Sequence, residues 1–597
     1  MLHSLNVAQS GLVASRTNVE NVMNNIANEN TEGYKKRVVD VKESEHSDAR
    51  LTGRGVDTIQ TDRITNIYMY DNLMDERSKN AEYNELSTML ADVESLFFET
   101  EDSGFSTDLD NYFQAIEDLR SNPYNEIYRT NLINQGNILV DNLQTIYTEI
   151  EDREVISSNF LDDHVAEVNG ILQDIGGINR EIQDAIIPSN DILDTRDKLE
   201  YQLSEFFDID LDRGENYSLS IGEITAVRYN TNVHDVRIIN DDVAQKDIYA
   251  DISNTSTLLD NSTFDAAGDK VTYIFDKDYK VTVEYGETVN GNVVDDTNMI
   301  QALVHKINNN SHMTNHVEAF NGAYSLDADG NKLPQAPTNV DYYLVVEAKT
   351  PGLEGKFNGE ILVEDATDTS YYSLKNSDRS VEAQNDTHLE VYEKEMTLDS
   401  GKMKPIVDNL DSGSGNNKYE EYKEMLDNFA KKLADISESY IFLGENEYVY
   451  GSHDSLVHDE AAKASNIGLF EGSSVKTLSF NDSAVSNMSQ ADLDYLATIH
   501  WNEDISFDPN TNTTTSFSKY YQNIRVQVSA DKENLDYLKE TQVAVTESLQ
   551  LTYDKLVKVD KDEEMVNLIK YQSAYEANAK IITVVDEMLA TILGIKS

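Results

Sequence analysis

Apolar residues recur at alternating steps of three and four at both ends of the 597-residue chain. This spacing is the seam of a heptad repeat, because it places successive residues on one face of a helix. The N-terminal stripe consists of Leu5, Ala8, Leu12, Ser15, Val19, Val22 and Ile26. The C-terminal stripe consists of Leu568, Tyr571, Tyr575, Asn578, Ile582, Val585, Leu589 and Ile592. The stripes predict two terminal helices of about 30 residues, each about 40 to 45 Å long.

A single stripe of this kind is more often the core-facing side of an ordinary helix. Two matched stripes favour assembly, because helices that paired only with each other would leave most of each circumference in water. Further small or apolar residues offer surface to additional helices: Val7, Gly11, Val13, Ala14, Ala27, Ala574, Ala577, Ala579, Ile581 and Ala590. We therefore expect terminal helices that become ordered against neighbouring copies. The predicted assembly seam comprises Leu5, Ala8, Leu12, Val19, Val22, Ile26, Leu568, Tyr571, Tyr575, Ile582, Val585, Leu589 and Ile592.

Helical patterns continue inward from both ends. They cover residues 78–100, 107–120, 125–186 and 190–207 on one side, and 418–442 and 517–558 on the other. Thr107 and Asn190 are the expected N-caps of their helices, because their side-chain oxygens can accept hydrogen bonds from the first turn. Together these segments predict an elongated antiparallel bundle built from both halves of the chain.

Short runs of alternating apolar and polar residues, separated by Asn, Asp and Gly, occupy residues 212–400. They predict a β-rich insertion of one or two subdomains, with a short helix near 296–308. The expected fold class is therefore α+β: an elongated antiparallel α-helical bundle formed by both chain ends, with a β-rich inserted outer domain. The expected divisions are a terminal coiled-coil assembly domain (1–45 and 560–597), a helical bundle domain (46–211 and 401–559, mixed and turn-rich over 445–515) and the insertion (212–400).

The charge balance limits the partners of this chain. With 109 Asp and Glu against 48 Lys and Arg, the formal net charge is −61. Such a surface repels nucleic-acid phosphates and anionic lipid headgroups, so neither nucleic acid nor membrane is an expected partner.

Cysteine is absent from the sequence, which excludes disulfides and thiolate metal sites and suits a chain that passes unfolded through a secretion channel. The N-terminus lacks the basic region and unbroken apolar run of a cleavable signal. No apolar run reaches the roughly 18 residues that a membrane-spanning helix needs. If the chain is secreted, we expect a route that does not use such a signal.

The sequence lacks the motifs of the common catalytic sites. HExxH, GxSxG, P-loop and GxGxxG patterns do not occur. We expect a structural protein with no catalytic residues, no cofactor and no metal site.

The segment NNIANENTEGYKKR at 24–37 resembles the N-terminal motif shared by flagellar rod, hook and hook-associated proteins. It predicts a helix that ends near Asn28, followed by a turn in which Gly33 permits a bend that a β-carbon would oppose. The motif-turn residues implied by the resemblance are Asn24, Asn25, Asn28 and Gly33. Glu32 stands where the family usually has proline, so the turn is expected to be less rigid.

Other segments extend the resemblance along the chain. Residues 53–73 are similar to the stretch that follows the motif in hook-associated proteins, and residues 562–593 are similar to the C-terminal signature of the axial family. Residues 188–211, 401–440 and 469–474 resemble segments of the members that join hook and filament. Ser437 departs from this pattern, because the family usually has asparagine there.

The resemblance implies a structural subunit of the bacterial flagellum that forms the junction layer between hook and filament. Such a subunit is extracellular, is exported by the type III apparatus and assembles through its terminal helices. The implied partners are further copies in a ring-like layer, the hook protein, a second hook-associated junction protein and an export chaperone at the C-terminal helix. The alternatives are another axial subunit of hook or filament type, or an axial scaffold that displays an adhesive outer domain.

Overall fold

The computed structural model describes residues 2–44, 55–100, 103–214, 216–249, 264, 266–276, 279–321, 325–326, 332–333, 344–364, 380–444, 447–450, 465–508 and 513–595. One of the alternating apolar and polar runs of the insertion covers residues 339–348, and its first part, residues 339–343, lies outside these ranges. Within them, no helix combines the length and the apolar character that a membrane crossing requires.

The described helices carry most of the chain. They are α1 (Leu2–Ala27), α2 (Ile67–Leu96), α3 (Phe105–Ser121), α4 (Glu126–Asp184), α5 (Asn190–Leu203), α6 (Met299–Asn308), α7 (Met313–His316), α8 (Met403–Leu410), α9 (Lys418–Glu438), α10 (Asp482–Asn487), α11 (Gln490–Ile499), α12 (Phe517–Val557) and α13 (Lys561–Ile595). A 3₁₀ turn covers Leu353–Gly355.

The strands are short and pair antiparallel. The first hairpin and the strands up to the short helices are β1 (Arg37–Glu43), β2 (Val56–Arg63), β3 (Ile209–Asp212), β4 (Ser218–Ile221), β5 (Ile224–Arg228), β6 (Asn232–Val233), β7 (Val236–Asn240), β8 (Lys246–Tyr249), β9 (Lys270–Phe275), β10 (Tyr279–Glu284), β11 (Thr288–Val289) and β12 (Asn292–Val293). The others are β13 (Val317–Asn321), β14 (Ser325–Leu326), β15 (Lys332–Leu333), β16 (Leu344–Ala348), β17 (Gly359–Glu364), β18 (Thr387–Val391), β19 (Lys394–Glu395), β20 (Ser439–Gly444), β21 (Glu447–Tyr450), β22 (Ser465–Asn466), β23 (Phe470–Glu471), β24 (Ser479–Phe480), β25 (Ile505–Ser506) and β26 (Thr514–Thr515).

Helices α2 and α12 run antiparallel along the bundle. At one end the rings of Tyr70 and Tyr553 lie 5.6 Å apart, and at the other end those of Phe97 and Tyr521 lie 6.4 Å apart. Helix α4 has 59 residues and is therefore about 90 Å long at roughly 1.5 Å per residue. The predicted α+β class with an elongated antiparallel bundle is confirmed.

Helix α9 returns to the bundle after the β-rich segment. Phe429 packs edge-to-face against Phe105 of α3 and Phe517 of α12, with ring centroids 5.4 and 5.2 Å apart. The N-terminus of α9 is capped by Asn417, whose side chain accepts a hydrogen bond from the amide of Glu420. These aromatic contacts lie at the far end of the bundle, which is the end opposite Tyr70 and Tyr553.

The β-rich segment contributes to two separate hydrophobic cores. The sheet β3-β4-β5-β6 and the sheet β7-β18-β19 pack into the same core as the helical bundle. The sheets β8-β16-β13 and β17-β9-β10, together with α6, enclose a second core. The strands nearest the bundle therefore stabilise it, while those of the second core form an outer unit.

Two predicted caps are wrong. Ser189, not Asn190, caps α5 and accepts a hydrogen bond from the amide of Ile192, while Asn190 donates to the carbonyl of Thr61 at 2.7 Å. Thr107 lies inside α3, which begins at Phe105 because the Glu99 carboxylate accepts a hydrogen bond from the Ser106 amide at 2.9 Å. In both cases a longer-range hydrogen bond outweighed the local capping preference.

Three predicted helix bounds also differ from the structure. Helix α2 begins at Ile67, not at residue 78, because Asn66 caps it. Helix α5 ends at Leu203, not at residue 207. Helix α9 ends at Glu438, and the predicted last turn is strand β20, whose Tyr440 pairs with Tyr450 of β21.

Candidate assembly interface

The two terminal helices pack side by side in opposite directions. Asn25, near the end of α1, contacts Glu564, near the start of α13. Gly11 faces Asn578, and an added β-carbon at Gly11 would lie 3.0 Å from the Asn578 side chain. The polar position of the C-terminal stripe is therefore accommodated by a glycine on the facing helix.

The structure brings the two predicted stripes into this helix pair. Ala8, Val22 and Val585 are buried. Other members are half-buried: Leu5, Leu12, Val19, Ile26, Leu568, Tyr571, Ile582 and Leu589. Tyr575 is exposed over 39% of its surface, and the side chain of Ile592 lies outside the described ones. Their role in assembly with other copies stays a prediction.

A second stripe of α13 is exposed beside the seam. We call it the outer stripe: Val566, Ile569, Ser573, Ala577, Ile581, Val584 and Met588. Its five large apolar side chains each expose 47 to 66% of their surface. The sequence reasoning singled out only Ala577 and Ile581, although the outer stripe repeats the spacing of three and four. Relative to the seam, the outer stripe is shifted by two positions from Val566 to Ser573 and by one position from Ala577 to Met588.

The motif turn begins where α1 ends. The side-chain amide of Asn28 donates to the carbonyl oxygen and to the side-chain oxygen of Asn24, at 3.0 and 2.9 Å. Gly33 has φ +79°, a left-handed conformation that opposes a β-carbon. The turn brings Tyr34 back to α1, where its hydroxyl donates to the side-chain oxygen of Asn25 at 2.9 Å. The four predicted motif-turn residues therefore lie together.

Asn25 is the buried centre of this turn. Its side-chain oxygen accepts a hydrogen bond from the amide of Arg37 at 3.1 Å, and its Nδ2 donates to the Arg37 carbonyl at 2.9 Å. The same Nδ2 donates to Glu564 Oε2 at 3.0 Å, and the Glu564 side chain is buried. One asparagine thus ties the end of α1 both to strand β1 and to the C-terminal helix.

Lys36 adds a second connection to the C-terminal segment. Its backbone amide donates to the carbonyl of Val557 at 2.7 Å, and its Nζ lies 2.8 Å from Glu563 and 3.3 Å from Glu564. Burial lowers the pKa of Lys36, but the two carboxylates outweigh it and raise the pKa overall. We call Asn25, Lys36, Glu563 and Glu564 the terminal clasp.

A network of charged side chains lies between the motif turn and helix α5. We call it the joint network; it comprises Lys35, Arg37, Arg63, Asp191, Asp194 and Asp197. Arg63 Nη1 lies 3.0 Å from Asp194 and 2.7 Å from Asp197. Burial raises the pKa of Asp197, but Lys35 and Arg63 outweigh it and hold that pKa below its usual value.

The joint network attaches the hairpin β1-β2 and the motif turn to the bundle. Lys35 is buried and pairs with Asp197, while Arg37 pairs with Asp191. The sequence reasoning missed this network, although basic residues follow the motif glycine and acidic residues fill 191–197. Only the folded chain brings these two groups together, so their spacing in sequence gave no signal.

Across the described ranges, no three histidine or carboxylate side chains converge in a way that would hold a metal ion. The interface offers apolar surface, hydrogen bonds and ion pairs.

Three segments match known families. Residues 5–35 match the family described as flagella basal body rod protein, and residues 556–595 match the C-terminal segment of the flagellar basal body rod FlgEFG proteins. Residues 90–268 match the helical domain of the flagellar hook-associated protein FlgK. The two terminal matches coincide with α1, the motif turn and α13.

Curated relatives carry the same name. Flagellar hook-associated protein 1 of Bacillus subtilis (strain 168) is 24% identical over 218 residues, which are 34% of this chain and 43% of the relative. The protein of that name from Salmonella typhimurium is 23% identical over 226 residues, 36% of this chain and 41% of the relative. Each match therefore spans less than half the length of the curated relative.

A further match is a solved structure. It is the flagellar hook junction protein FlgK from Burkholderia pseudomallei, with a TM-score of 0.37 and 11% identity, over 81% of this chain and 99% of that chain.

The matched ends confirm the resemblance to flagellar axial proteins that the sequence indicated. Within that class, the matched helical domain and the curated relatives confirm the resemblance to the FlgK family of flagellar hook-associated protein 1.

Proposed function

We propose that this chain is a structural subunit of the bacterial flagellum that forms the junction layer between hook and filament. The outer stripe of α13 carries this proposal. It presents a row of exposed apolar residues, interrupted by Ser573, on a helix whose seam is already packed against α1. Burying a large apolar side chain contributes roughly 1.5 to 3 kcal/mol when burial is complete. The outer stripe therefore favours contact with further helices.

The occupants of the outer stripe are the terminal helices of neighbouring copies in a ring-like layer. The terminal helix pair alone leaves this row in water, so the helices gain stability when neighbours cover it. Ordering of the termini and assembly of the layer are thus coupled, because the burial gained on assembly offsets the loss of conformational freedom.

The terminal clasp and the joint network give the assembled helices a fixed orientation. Asn25 and Lys36 hold α1 and α13 together. The pair of Lys35 with Asp197 holds the motif turn on the bundle, and the pairs of Arg63 with Asp194 and Asp197 hold the hairpin β1-β2 there. A force applied to the helix pair is therefore transmitted to the bundle through buried polar contacts. This suits a subunit whose role is mechanical and that catalyses no reaction.

A layer of this kind requires further partners. They are the hook protein on one side, a second hook-associated junction protein on the other, and an export chaperone at the C-terminal helix before assembly. The subunit reaches the cell exterior through the type III export apparatus. The alternatives, a hook or filament subunit or a scaffold with an adhesive outer domain, are distinguished by where the protein lies on the flagellum.

Charge substitutions on α13 test the outer stripe. In cells without the native copy, Ile581→Asp combined with Val584→Asp is expected to abolish the attachment of filaments to hooks. Thr583→Asp is the matched control, because Thr583 is exposed and lies on the face of α13 away from both stripes. It is expected to retain motility. Normal filament attachment by the double variant would overturn the proposed role of the outer stripe.

A further inference from the structure

The only tryptophan of the chain is held rigidly at the surface. Trp501 exposes 74% of its surface, although tryptophan is usually well buried. Its ring stacks on His500 with centroids 4.2 Å apart, and His500 stacks flat on Phe113 at 4.6 Å. Because Phe113 is buried in the bundle core, this stack fixes the indole with its outer face toward solvent.

Trp501 borders an open cleft of about 590 Å³ at the far end of the bundle. The cleft is lined by both aromatic and polar side chains, including Glu117, Arg120, Tyr448, Thr498 and Asn502. Tyr448 is braced by Tyr495, with ring centroids 5.2 Å apart, and Tyr495 stacks on Tyr440 at 4.2 Å. The walls are therefore preorganised, as in sites that bind small molecules.

The charged groups of the cleft are held by one another. Arg120 Nε lies 3.4 Å from Glu117 and 3.7 Å from Asp494. A guanidinium with two carboxylates beside it presents donors and acceptors in fixed directions without a strong excess of either charge. Together with the Asn502 amide and the Thr498 hydroxyl, they form a polar rim beside the indole.

This combination discriminates between classes of ligand. The overall charge of −61 opposes an anionic ligand, and Arg120, which lies between Glu117 and Asp494, reduces the attraction of this cleft for a cationic one. A wholly apolar occupant would remove the polar rim from water without replacing the hydrogen bonds to water, which costs free energy. A neutral sugar ring meets both requirements, because its hydroxyls hydrogen-bond while its C–H face lies against the electron-rich face of the indole.

We propose that the Trp501 cleft binds a neutral saccharide. The ring of one sugar residue stacks on Trp501, and its hydroxyls bond to Glu117, Arg120 and Asn502. This activity is independent of the terminal helices and lies at the opposite end of the bundle from the terminal clasp. It would allow the subunit to contact glycans while it is part of a flagellum.

The single tryptophan allows a direct test on the full chain, since its emission reports on this cleft alone. Maltohexaose, cellohexaose and chitohexaose serve as neutral probes, with lysine and glutamate hexapeptides as charged comparisons. The expected result is a saturable change in emission with at least one saccharide and none with either peptide. No response to any saccharide at millimolar concentration would overturn the proposal, as would a saturable response to a peptide instead.

Variants locate the binding by calorimetry. Trp501→Ala is expected to abolish binding, Trp501→Phe to retain part of it, and Arg120→Gln to weaken it about tenfold. Tyr68→Ala removes an aromatic ring that is 78% exposed elsewhere and is expected to bind like the parent. Thermal unfolding at the parent temperature shows that each variant is folded. Undiminished binding by Trp501→Ala, or loss of binding in Tyr68→Ala, would contradict the assignment to this cleft.

Discussion

The side-chain amide of Asn25 donates a 3.0 Å hydrogen bond to the buried carboxylate of Glu564, a residue 539 positions further along the chain. This bond joins the end of the first helix to the start of the last one. Since the same asparagine also bonds to Tyr34 and Arg37, the motif turn and both terminal helices form one unit. The motif that resembles that of flagellar axial proteins thus connects the two terminal helices.

Replacement of Asn25 by alanine is expected to loosen this unit. Asn25→Ala leaves the Arg37 carbonyl and the Glu564 carboxylate without this partner, so we expect a loss of about 2 to 3 kcal/mol. Hydrogen exchange should show reduced protection in α1 and in the first turns of α13. The control is Asn24→Ala, an exposed residue of the same motif, with an expected change of a few tenths of a kcal/mol. Equal effects of the two changes would contradict the buried role of Asn25.

The turn after α1 depends on the conformation of Gly33. An added β-carbon would meet no close neighbour, the nearest atom being 3.9 Å away, so strain at φ +79° is the main cost. Gly33→Ala is therefore expected to destabilise the chain by about 1 kcal/mol, and Gly33→Asn by less, because asparagine tolerates this conformation. Thermal unfolding of the three proteins measures the order. A more stable alanine variant would refute this account.

The stability of the chain is expected to depend strongly on the ion pair between Lys35 and Asp197 in the joint network. Asp197→Ala leaves the buried Lys35 ammonium uncompensated, and we expect a loss of about 3 to 5 kcal/mol. The double variant Lys35→Met with Asp197→Leu removes both charges and is expected to recover much of that loss. Urea unfolding of the single and double variants gives the coupling between them. Additive losses would show that Lys35 and Asp197 act independently.

The raised pKa of Asp427 is expected to make the stability of the chain depend on pH. Burial raises its pKa to about 6, although it accepts a 2.7 Å hydrogen bond from the amide of Val475. The folded state then binds more protons than the unfolded state between about pH 4 and 6, so this residue lowers the free energy of unfolding as pH rises through that window.

Asp427→Asn is expected to flatten this slope and to stabilise the chain at pH 7 by about 2 to 3 kcal/mol, because the amide oxygen still accepts from Val475. Urea unfolding at several pH values gives the slope. The exposed Asp40→Asn is the charge-matched control and should leave it unchanged. A parent slope preserved in Asp427→Asn would refute the assignment.

The sequence predicted features that depend on local periodicity. Both terminal stripes, the antiparallel bundle and the β-rich insertion follow from repeats of three, four or two residues. The cap at Ser189 and the end of α9 at Glu438 could not be predicted, because bonds to distant strands decide them. Likewise, the role of Glu564 could not be predicted, because it is one of many acidic residues in the sequence and only the fold brings it beside Asn25 and Lys36.

Immunogold labelling of isolated flagella with an antibody to this chain is the most direct test of the central claim. A subunit of the junction layer is expected to give one narrow band at the distal end of the hook. Label along the whole hook or the whole filament would contradict the claim and would favour a different axial subunit.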